Sequence, residues 1–271
     1  MSTGGEREAV GPVRKIVSHA DLRAAWDSQT TRWIAWARAP MHDSYWRFHR
    51  DQFLEVLPAP GRLTIDIGAG EGRLSRDLAT RGHNVVSVDA AAGLVAAAKG
   101  AAPSIPAVQA DVARLPVRDA AADLVIAFMS LQDVDDMPAA IAEAARVLEN
   151  GARLCFAIVH PLNSAGQFAG DRPDSPFTIE GTYLEAFAYE DYVVRDGHEV
   201  TFASEHRPLE SYFAALSTAG FVVENLREPP VPDDAVDSPR ARRWQRVPLF
   251  LHVVAVRRER ASGRVTPHRM R

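Results

Sequence analysis

Short apolar runs alternate with stretches of helical periodicity along the middle of the chain. The runs predict strands at residues 63–67, 85–89, 107–111, 122–128 and 152–159, and the stretches between them predict helices near 72–82, 91–99 and 138–149. The Asn150-Gly151 pair predicts the end of the last helix. Because strands that recur after helices are joined by right-handed crossovers, the pattern predicts a doubly wound α/β fold with a mostly parallel sheet.

Two segments interrupt this alternation. Residues 19–57 predict two helices broken near Pro40 and contain four of the five tryptophans, so we expect a helical lid there. Residues 161–205 are rich in proline, glycine and aromatic residues, which favours an insertion that caps the sheet. Beyond it, the pattern predicts a helix from Pro208 to Gly220, strands at 221–226 and 247–256, and a proline-rich connection at 229–246.

Composition limits the class of protein. The chain has 271 residues, 46% hydrophobic and 24% charged, with a net charge of −4, which is typical of a globular protein and not of a nucleic-acid-binding one. It has no apolar run of the roughly 20 residues that a membrane span needs, and its first residues do not form a secretory signal. We therefore expect a cytoplasmic protein with one domain at 19–256, between disordered segments at 1–18 and at the basic residues 257–271. Cys155 is the one cysteine, and its apolar surroundings indicate burial.

Three alternate glycines follow the first predicted strand of this α/β pattern, in "LTIDIGAGEGRLS". Such a turn between a strand and a helix is typical of nucleotide-like ligands. A dinucleotide fingerprint would place a third glycine at position 73, where this chain has Arg73, and a phosphate-binding P-loop would need a Lys-Ser or Lys-Thr pair that is absent. The turn therefore fits neither of these two ligand classes.

Acidic residues lie at the ends of three successive predicted strands: Asp66, Asp89 and Asp111. The carboxyl ends of parallel strands meet in one crevice, where ligands bind. Carboxylates there disfavour a pyrophosphate but suit a ribose diol, an exocyclic amine and a positive centre. We assign the ribose hydroxyls to Asp89, the amine of adenine to Asp111, and an ammonium to Asp66. Asp123 and His83 lie away from this crevice and are interpreted as structural.

These motifs resemble the class I S-adenosylmethionine-dependent methyltransferases, in the branch that acts on small molecules and includes quinone-biosynthesis and natural-product enzymes. The resemblance rests on "IDIGAGEG", "VVSVDAAAGLVAAA", "QADVARLP", "AADLVIAFMSLQDVDD" and "AARVLENGARLCFAIVHP", in that order over residues 63–161. It implies a Rossmann-like seven-stranded sheet with an antiparallel last strand, and S-adenosylmethionine as cofactor. The cofactor residues that we expect are Tyr45, Asp66, Gly68, Ala69, Gly70, Asp89, Ala90, Asp111, Val112 and Phe128.

The methyl acceptor is less constrained. The Asn- or Asp-Pro-Pro-aromatic signature of enzymes that methylate adenine bases or glutamine amides does not follow the fourth strand. An aromatic cap favours a small, partly apolar substrate. We place His160 and His206 as candidate general bases, and Tyr183 and Arg207 as candidate substrate contacts, where two loops leave the sheet on the cofactor side. His42 and His49 have no third ligand nearby, so we expect no metal.

Three other functions stay open at this stage. Arg73 and the second and third acids disfavour a nicotinamide-dependent oxidoreductase, and the intact cofactor motifs disfavour a non-catalytic S-adenosylmethionine-binding module. An RNA methyltransferase would have to use the basic residues 257–271. We expect a small-molecule substrate, no nucleic acid and no membrane; the oligomeric state is open.

Overall fold

The computed structural model describes residues 13–17, 21–179 and 181–258. The strands are β1 Val13–Val17, β2 Thr64–Ile67, β3 Val85–Asp89, β4 Ala107–Gln109, β5 Ala122–Phe128, β6 Leu148–Val159, β7 Gly166–Phe168, β8 Phe177–Ile179, β9 Phe187–Arg195, β10 His198–His206, β11 Phe221–Arg227 and β12 Phe250–Arg257. The α-helices are α1 Leu22–Arg38, α2 Arg50–Leu54, α3 Arg73–Thr80, α4 Ala92–Ala101, α5 Met137–Val147, α6 Pro161–Ala165, α7 Leu209–Ala219 and α8 Pro239–Arg242.

Seven strands form the central sheet in the order β11-β12-β6-β5-β2-β3-β4. β12 is antiparallel to both of its neighbours, and the pairs β5-β6, β5-β2, β2-β3 and β3-β4 are parallel. The predicted doubly wound α/β sheet with an antiparallel last strand is thus confirmed. The order reverses between β2 and β5, which places a crevice at the carboxyl ends of these strands.

Both faces of the sheet are covered, which explains the continuous apolar runs of its strands. All four residues of β2 are buried. One face packs against α5 and α7 in a cluster that includes Ile141, Phe156 and Leu216. The other packs against α3 and the N-terminal segment, through residues such as Leu78 and Phe53.

The N-terminal segment folds as two helical pieces. Asp21 caps α1 by accepting a hydrogen bond from Ala24 N at 2.8 Å, and the helix ends before Pro40, because a residue that precedes proline disfavours helical backbone. A π-helical turn, Tyr45–His49, then leads into α2. The predicted break near Pro40 is therefore confirmed. Arg38, at the end of α1, donates to Glu71 Oε2 at 2.8 Å and ties α1 to the glycine turn.

The predicted insertion 161–205 forms α6 and four strands. β9 and β10 form a hairpin around Asp196-Gly197, where both residues have positive φ, as a type I′ turn requires. β1 pairs with the outer edge of β9, so residues 13–17 are ordered where we expected disorder. β7 pairs with β8 as a separate two-stranded ribbon.

One other expectation, at the end of a helix, differs from the structure. The helix expected to end at Asn150-Gly151 ends at Val147, because β6 already begins at Leu148, and Gly151 (φ +81°) lies in an irregularity of the β5-β6 pairing. The disorder expected at residues 1–12 and in most of the basic tail falls on residues outside the described part of the chain, since 1–12 and 259–271 are not described. Within the described chain, no helix combines the length and the apolar character needed to cross a membrane.

Candidate functional site

A cavity of about 670 Å³ lies at the carboxyl ends of the central strands. Its walls come from the sheet edge, α1, the π-helical turn, β9, β10 and the connection between β11 and β12. All ten expected cofactor residues line this cavity: Tyr45, Asp66, Gly68, Ala69, Gly70, Asp89, Ala90, Asp111, Val112 and Phe128. Residues from five separate stretches of sequence therefore meet in one place.

The glycine turn gives the backbone close access to the cavity. Gly68 (φ +65°) and Gly70 (φ +60°) have left-handed backbone that favours glycine. A Cβ on Gly68 would lie 2.4 Å from Ser130 Cβ, and one on Gly70 would lie 3.1 Å from Trp33 Nε1. At both positions a neighbouring side chain occupies the space that a Cβ would need, so glycine is required there.

Asp89, at the end of β3, is anchored by backbone donors. Gly70 N donates to Oδ2 at 2.7 Å and Ala91 N to Oδ1 at 2.9 Å, so Asp89 connects the glycine turn to the start of α4. Burial raises the pKa of this carboxyl, and the backbone hydrogen bonds oppose that shift. Each oxygen keeps a further lone pair for a ligand hydroxyl. Asp111 lies two residues beyond β4 and accepts from Ala113 N at 2.9 Å.

Asp66 is buried beneath the turn. Ser75 donates to its Oδ2 at 2.6 Å, and Ser87 donates to Ser75 at 2.8 Å. Burial, with the neighbouring Asp89, raises the pKa of Asp66 to about 7 although the Ser75 hydrogen bond lowers it. The Asp66 carboxyl can therefore gain or lose a proton near neutral pH.

The helical N-terminal segment closes the cavity over the turn. Tyr45 packs against Phe128 with 5.6 Å between ring centroids, and its hydroxyl donates to Asp77 at 2.6 Å. The Arg73 guanidinium lies 4.0 Å from the centre of the Tyr45 ring and donates to Asp43 at 2.8 Å. Arg73, which does not fit a dinucleotide fingerprint, thus holds this segment against the start of α3.

The two histidines proposed as bases do not line the cavity. His160 caps α6 by accepting from Leu162 N at 3.0 Å, and its Nε2 lies 3.0 Å from Glu228 Oε1. His206 is fully buried, with Nδ1 2.7 Å from Ser164 Oγ and Nε2 donating to the Tyr183 carbonyl at 3.0 Å. Burial lowers the pKa of both rings. Both rings thus have structural contacts, and their role as catalytic bases stays a prediction.

Neither proposed substrate contact, Tyr183 or Arg207, lines the cavity. The Tyr183 hydroxyl accepts from Leu209 N at 3.2 Å. Arg207 is buried and donates to the carbonyls of Leu131 and Val134 at 3.3 and 2.7 Å, and it also pairs with Glu205. Arg207 therefore supports the loop behind the cavity, and the contacts of Tyr183 and Arg207 with substrate stay predictions.

The residues interpreted as structural have structural partners. Asp123 accepts from the backbone N–H of Arg62 and Leu63, and His83 Nδ1 lies 3.0 Å from Thr64 Oγ1. His49 Nε2 lies 2.9 Å from His252 Nε2, with the His49 ring stacked on Phe250. Among residues 13–17, 21–179 and 181–258, no group of three or more His, Cys, Asp or Glu is arranged to hold a metal.

Sequence reasoning missed the cavity residues that the cap provides. Tyr189, Phe202 and Ser204 line the cavity from β9 and β10, and Gln132 and Asp133 line it from the loop after β5. The acidic, glutamine-containing sequence after β5 could have identified Gln132 and Asp133 as cavity residues, since that loop leaves the carboxyl edge of the sheet. The sequence of β9 and β10 gave no similar signal for which of their side chains face the cavity. That orientation depends on how the cap packs over the central sheet, which the local sequence does not specify.

The fold and the site together define a class I S-adenosylmethionine-dependent methyltransferase. The model of a methyltransferase domain family matches residues 65–156. A demethylmenaquinone methyltransferase of Mycobacterium bovis is 30% identical over 194 residues, which cover 72% of this chain and 69% of that protein. The chain belongs to this family of methyltransferases, as its motifs predicted.

Two other comparisons agree with this membership. A demethylmenaquinone methyltransferase of Beutenbergia cavernae is 36% identical over 143 residues, and the match spans 52% of this chain but only 55% of that protein. The crystal structure of an S-adenosylmethionine-dependent methyltransferase from Mesorhizobium loti superposes with a TM-score of 0.65 at 24% identity, over 79% of this chain and 98% of that one. The second comparison confirms the fold.

Proposed function

We propose that this chain transfers a methyl group from S-adenosylmethionine to a small, hydroxyl-bearing aromatic molecule. The observation that carries the proposal is the convergence of the ten expected cofactor residues on one cavity beside the glycine turn. The cavity continues past these residues into a space beneath the cap, which leaves room for a second molecule.

The residues present fit the cofactor. The lone pairs left on Asp89 suit the two ribose hydroxyls, and Asp111 suits the amine of adenine. Gly68 and Gly70 expose backbone to the ligand, and Asp66 lies beneath them near the methionine portion. When bound, S-adenosylmethionine supplies an electrophilic methyl group, so the protein mainly has to align the acceptor and exclude water.

Aromatic side chains of the cap support an aromatic acceptor. Phe202 packs edge-on against Trp26, Trp33 and Trp36, with centroid separations of 5.8–6.3 Å. Phe168 and Trp244 pack together at another part of the cavity wall, 5.0 Å apart. The two demethylmenaquinone methyltransferases among the relatives add weight to a quinone-like acceptor, and a hydroquinone presents both an aromatic ring and a hydroxyl.

Calorimetry with S-adenosylmethionine and with NAD tests the cofactor, and mass spectrometry after incubation with a dihydroxynaphthalene tests the acceptor. We expect S-adenosylmethionine to bind, NAD not to bind, and the naphthalene to gain one methyl group while S-adenosylhomocysteine accumulates. Tight NAD binding without a response to S-adenosylmethionine would overturn the proposal.

A further inference from the structure

Three polar side chains form a cluster on the cavity wall away from the adenosine residues: Gln132, Asp133 and Ser204. Ser204, on β10, donates to Asp133 Oδ1 at 2.6 Å. Gln132 Nε2 donates to the Met129 carbonyl at 2.8 Å and reaches Asp133 Oδ2 at 3.3 Å. Gln132 Oε1 is buried and has no hydrogen-bond partner within the described part of the chain. A buried acceptor without a hydrogen-bond partner lowers the stability of the folded protein, so a ligand that donates a hydrogen bond to Gln132 Oε1 would be favoured at this cluster.

The cluster lies next to the place where the methyl group is expected. Ser130 packs against Gly68, and its hydroxyl donates to the Ile67 carbonyl at 2.9 Å. Asp133 N donates to the Ser130 carbonyl at 2.9 Å, so Asp133 is one 3₁₀ turn beyond the contact with the glycine turn. The other side of the cluster is Ser204, from the cap. Asp133 is thus between the cofactor residues and the space beneath the cap.

The surroundings of Asp133 favour its neutral form. Burial raises the pKa of this carboxyl to about 8, while the Ser204 hydrogen bond, the Arg207 charge and the Gln132 hydrogen bond lower it. The other ionisable groups that face it are Tyr189 on β9 and Tyr212 on α7, whose own pKa values are raised by burial. Glu205 pairs with Arg207 and offsets part of the guanidinium charge. Asp133 can therefore accept a proton just above neutral pH.

We propose that Asp133 is the general base that binds and deprotonates the acceptor hydroxyl, with Gln132 Oε1 and Ser204 fixing its position. This inference rests on the proposed methyl transfer. The acceptor O–H bond breaks as its proton passes to the Asp133 carboxylate. The electron pair freed on that oxygen, or on the ring carbon conjugated with it, forms the bond to the methyl carbon. The bond between this carbon and sulfur breaks, and its electrons stay on sulfur.

Charge favours a neutral acceptor hydroxyl over an ammonium as the occupant of this cluster. The Arg207 guanidinium, whose charge acts on Asp133, would repel a cation there, although Glu205 offsets part of that charge. The adjoining wall is aromatic, with Phe202 two residues from Ser204 on the same strand face. These features match the aromatic hydroxyl compound already proposed, and they give Asp133 a role separate from cofactor binding.

The test compares Asp133→Asn and Ser204→Ala with Asp119→Asn, which removes an exposed carboxylate paired with Arg146. Three readouts are measured: the Kd for S-adenosylmethionine, the rate of dihydroxynaphthalene methylation as a function of pH, and the infrared carbonyl band of a protonated carboxyl. We expect Asp133→Asn to lower kcat by about 10²–10⁴-fold and leave the cofactor Kd within about twofold. The wild-type rate should rise with pH through a group titrating near 8, with that step absent from the variant.

Ser204→Ala provides a second, milder variant. Its hydroxyl stabilises the ionised carboxyl, so removing it should move the pH step upward while the rate at high pH recovers. The infrared band should be present at about pH 6 in the wild type and in Asp119→Asn. It should be weaker in Asp133→Asn, where the carboxyl of Asp66 still contributes.

Each other outcome contradicts the inference in a different way. A weakened cofactor Kd in Asp133→Asn would mean that Asp133 holds the ammonium of the cofactor. Unchanged kcat and an unchanged pH step would assign the base elsewhere. Cofactor binding without methylation of the dihydroxynaphthalene would overturn the acceptor class but keep the cofactor site, whereas absence of cofactor binding would overturn the proposed function itself.

Discussion

The side chain of Arg207 forms structural contacts where the sequence suggested a substrate contact, and replacing this residue tests that structural role. Arg207→Met should destabilise the protein by about 2–4 kcal/mol, because the carbonyls of Leu131 and Val134 would lose their buried donor and Glu205 its partner. Urea unfolding measures this free energy. Arg153→Met is the matched control, since its pair with Glu224 is exposed and should contribute about 0–1 kcal/mol. Equal losses in the two variants would contradict the role of Arg207.

Two aspartates at opposite edges of the parallel part of the sheet, Asp89 at the carboxyl end of β3 and Asp123 at the amino end of β5, should separate binding from stability. Asp89→Ala should weaken S-adenosylmethionine binding by roughly tenfold or more, because the carboxylate is proposed to accept both ribose hydroxyls. Asp123→Ala should leave that affinity unchanged and lower stability by about 1–3 kcal/mol, since it frees the backbone donors of Arg62 and Leu63. Calorimetry and urea unfolding distinguish the two effects. Similar cofactor affinities in both folded variants would show that Asp89 is not at the ribose.

The residues that sequence predicted well are those whose chemistry is tied to a strand end. Asp66, Asp89 and Asp111 reach one cavity because parallel strands bring their carboxyl ends together whatever the loops do. His160 follows β6 and His206 ends β10, yet their rings form hydrogen bonds with Leu162, Ser164 and Tyr183. The direction of a side chain that leaves a strand depends on its neighbours in the fold, and the local sequence does not specify them.

At the scale of elements, the turn between β2 and α3 depends on Gly68. Gly68→Ala should destabilise the protein by about 1–3 kcal/mol and weaken cofactor binding, because the new Cβ meets Ser130 and the backbone is left-handed. Gly100→Ala is the control: this glycine is in α4 with nothing within 4 Å of its added Cβ, so alanine should stabilise by about 0.5–1 kcal/mol. Unfolding and calorimetry of both variants check this contrast. A neutral Gly68→Ala would mean that Ser130 moves aside without cost.

The strands of the central sheet were predictable because they are buried on both faces, and their sequences are therefore continuous apolar runs. Ends of elements were harder: Gly151 carries the positive φ that favours glycine, but it lies in an irregular pairing of β6 instead of a helix end. β1 could not be predicted, since its partner β9 lies more than 170 residues away in the chain. Pairing with so distant a strand is a tertiary effect that overrides weak local preference.

At the scale of the whole molecule, Arg14 links β1, β9 and the start of the insertion. It forms a bidentate pair with Asp191 at 2.7 and 2.9 Å and donates to the carbonyls of Asn163, Ser164 and Gly166. The wall of the cavity beneath the cap therefore depends on contacts between segments that are far apart in sequence. Sequence motifs located the residues of the cavity wall that follow β2, β3 and β4, and this long-range assembly explains why they did not locate the wall beneath the cap.

Buried ionisable groups should give the ligand-free protein a narrow pH range of maximum stability. Burial raises the pKa of Asp66 to about 7 and of Asp133 to about 8, so above about pH 4 the folded protein holds protons that the unfolded chain has lost. Stability from these two groups is therefore lost as the pH rises through 7 and 8. Burial also lowers the pKa of six histidines, His42, His49, His83, His160, His206 and His252, which disfavours the folded state as the pH falls below about 6.5.

These opposing effects predict a stability maximum near pH 7. Between about pH 6.5 and 8.5 the two acids account for a loss of roughly 2–3 kcal/mol, which the six histidines largely offset, so the loss is read from the difference between the wild type and a variant. Urea unfolding across this range measures the loss. Relative to the wild type, Asp133→Asn should gain roughly 2 kcal/mol of stability over this range, because Asp133 has the higher pKa of the two acids and so keeps its proton over most of it. Asp119→Asn, an exposed change of the same kind, should leave the slope as it is in the wild type. A stability difference between the wild type and Asp133→Asn that stays constant up to about pH 8.5 would show that Asp133 is ionised in the folded protein, and that it cannot be the group whose titration sets the proposed pH step.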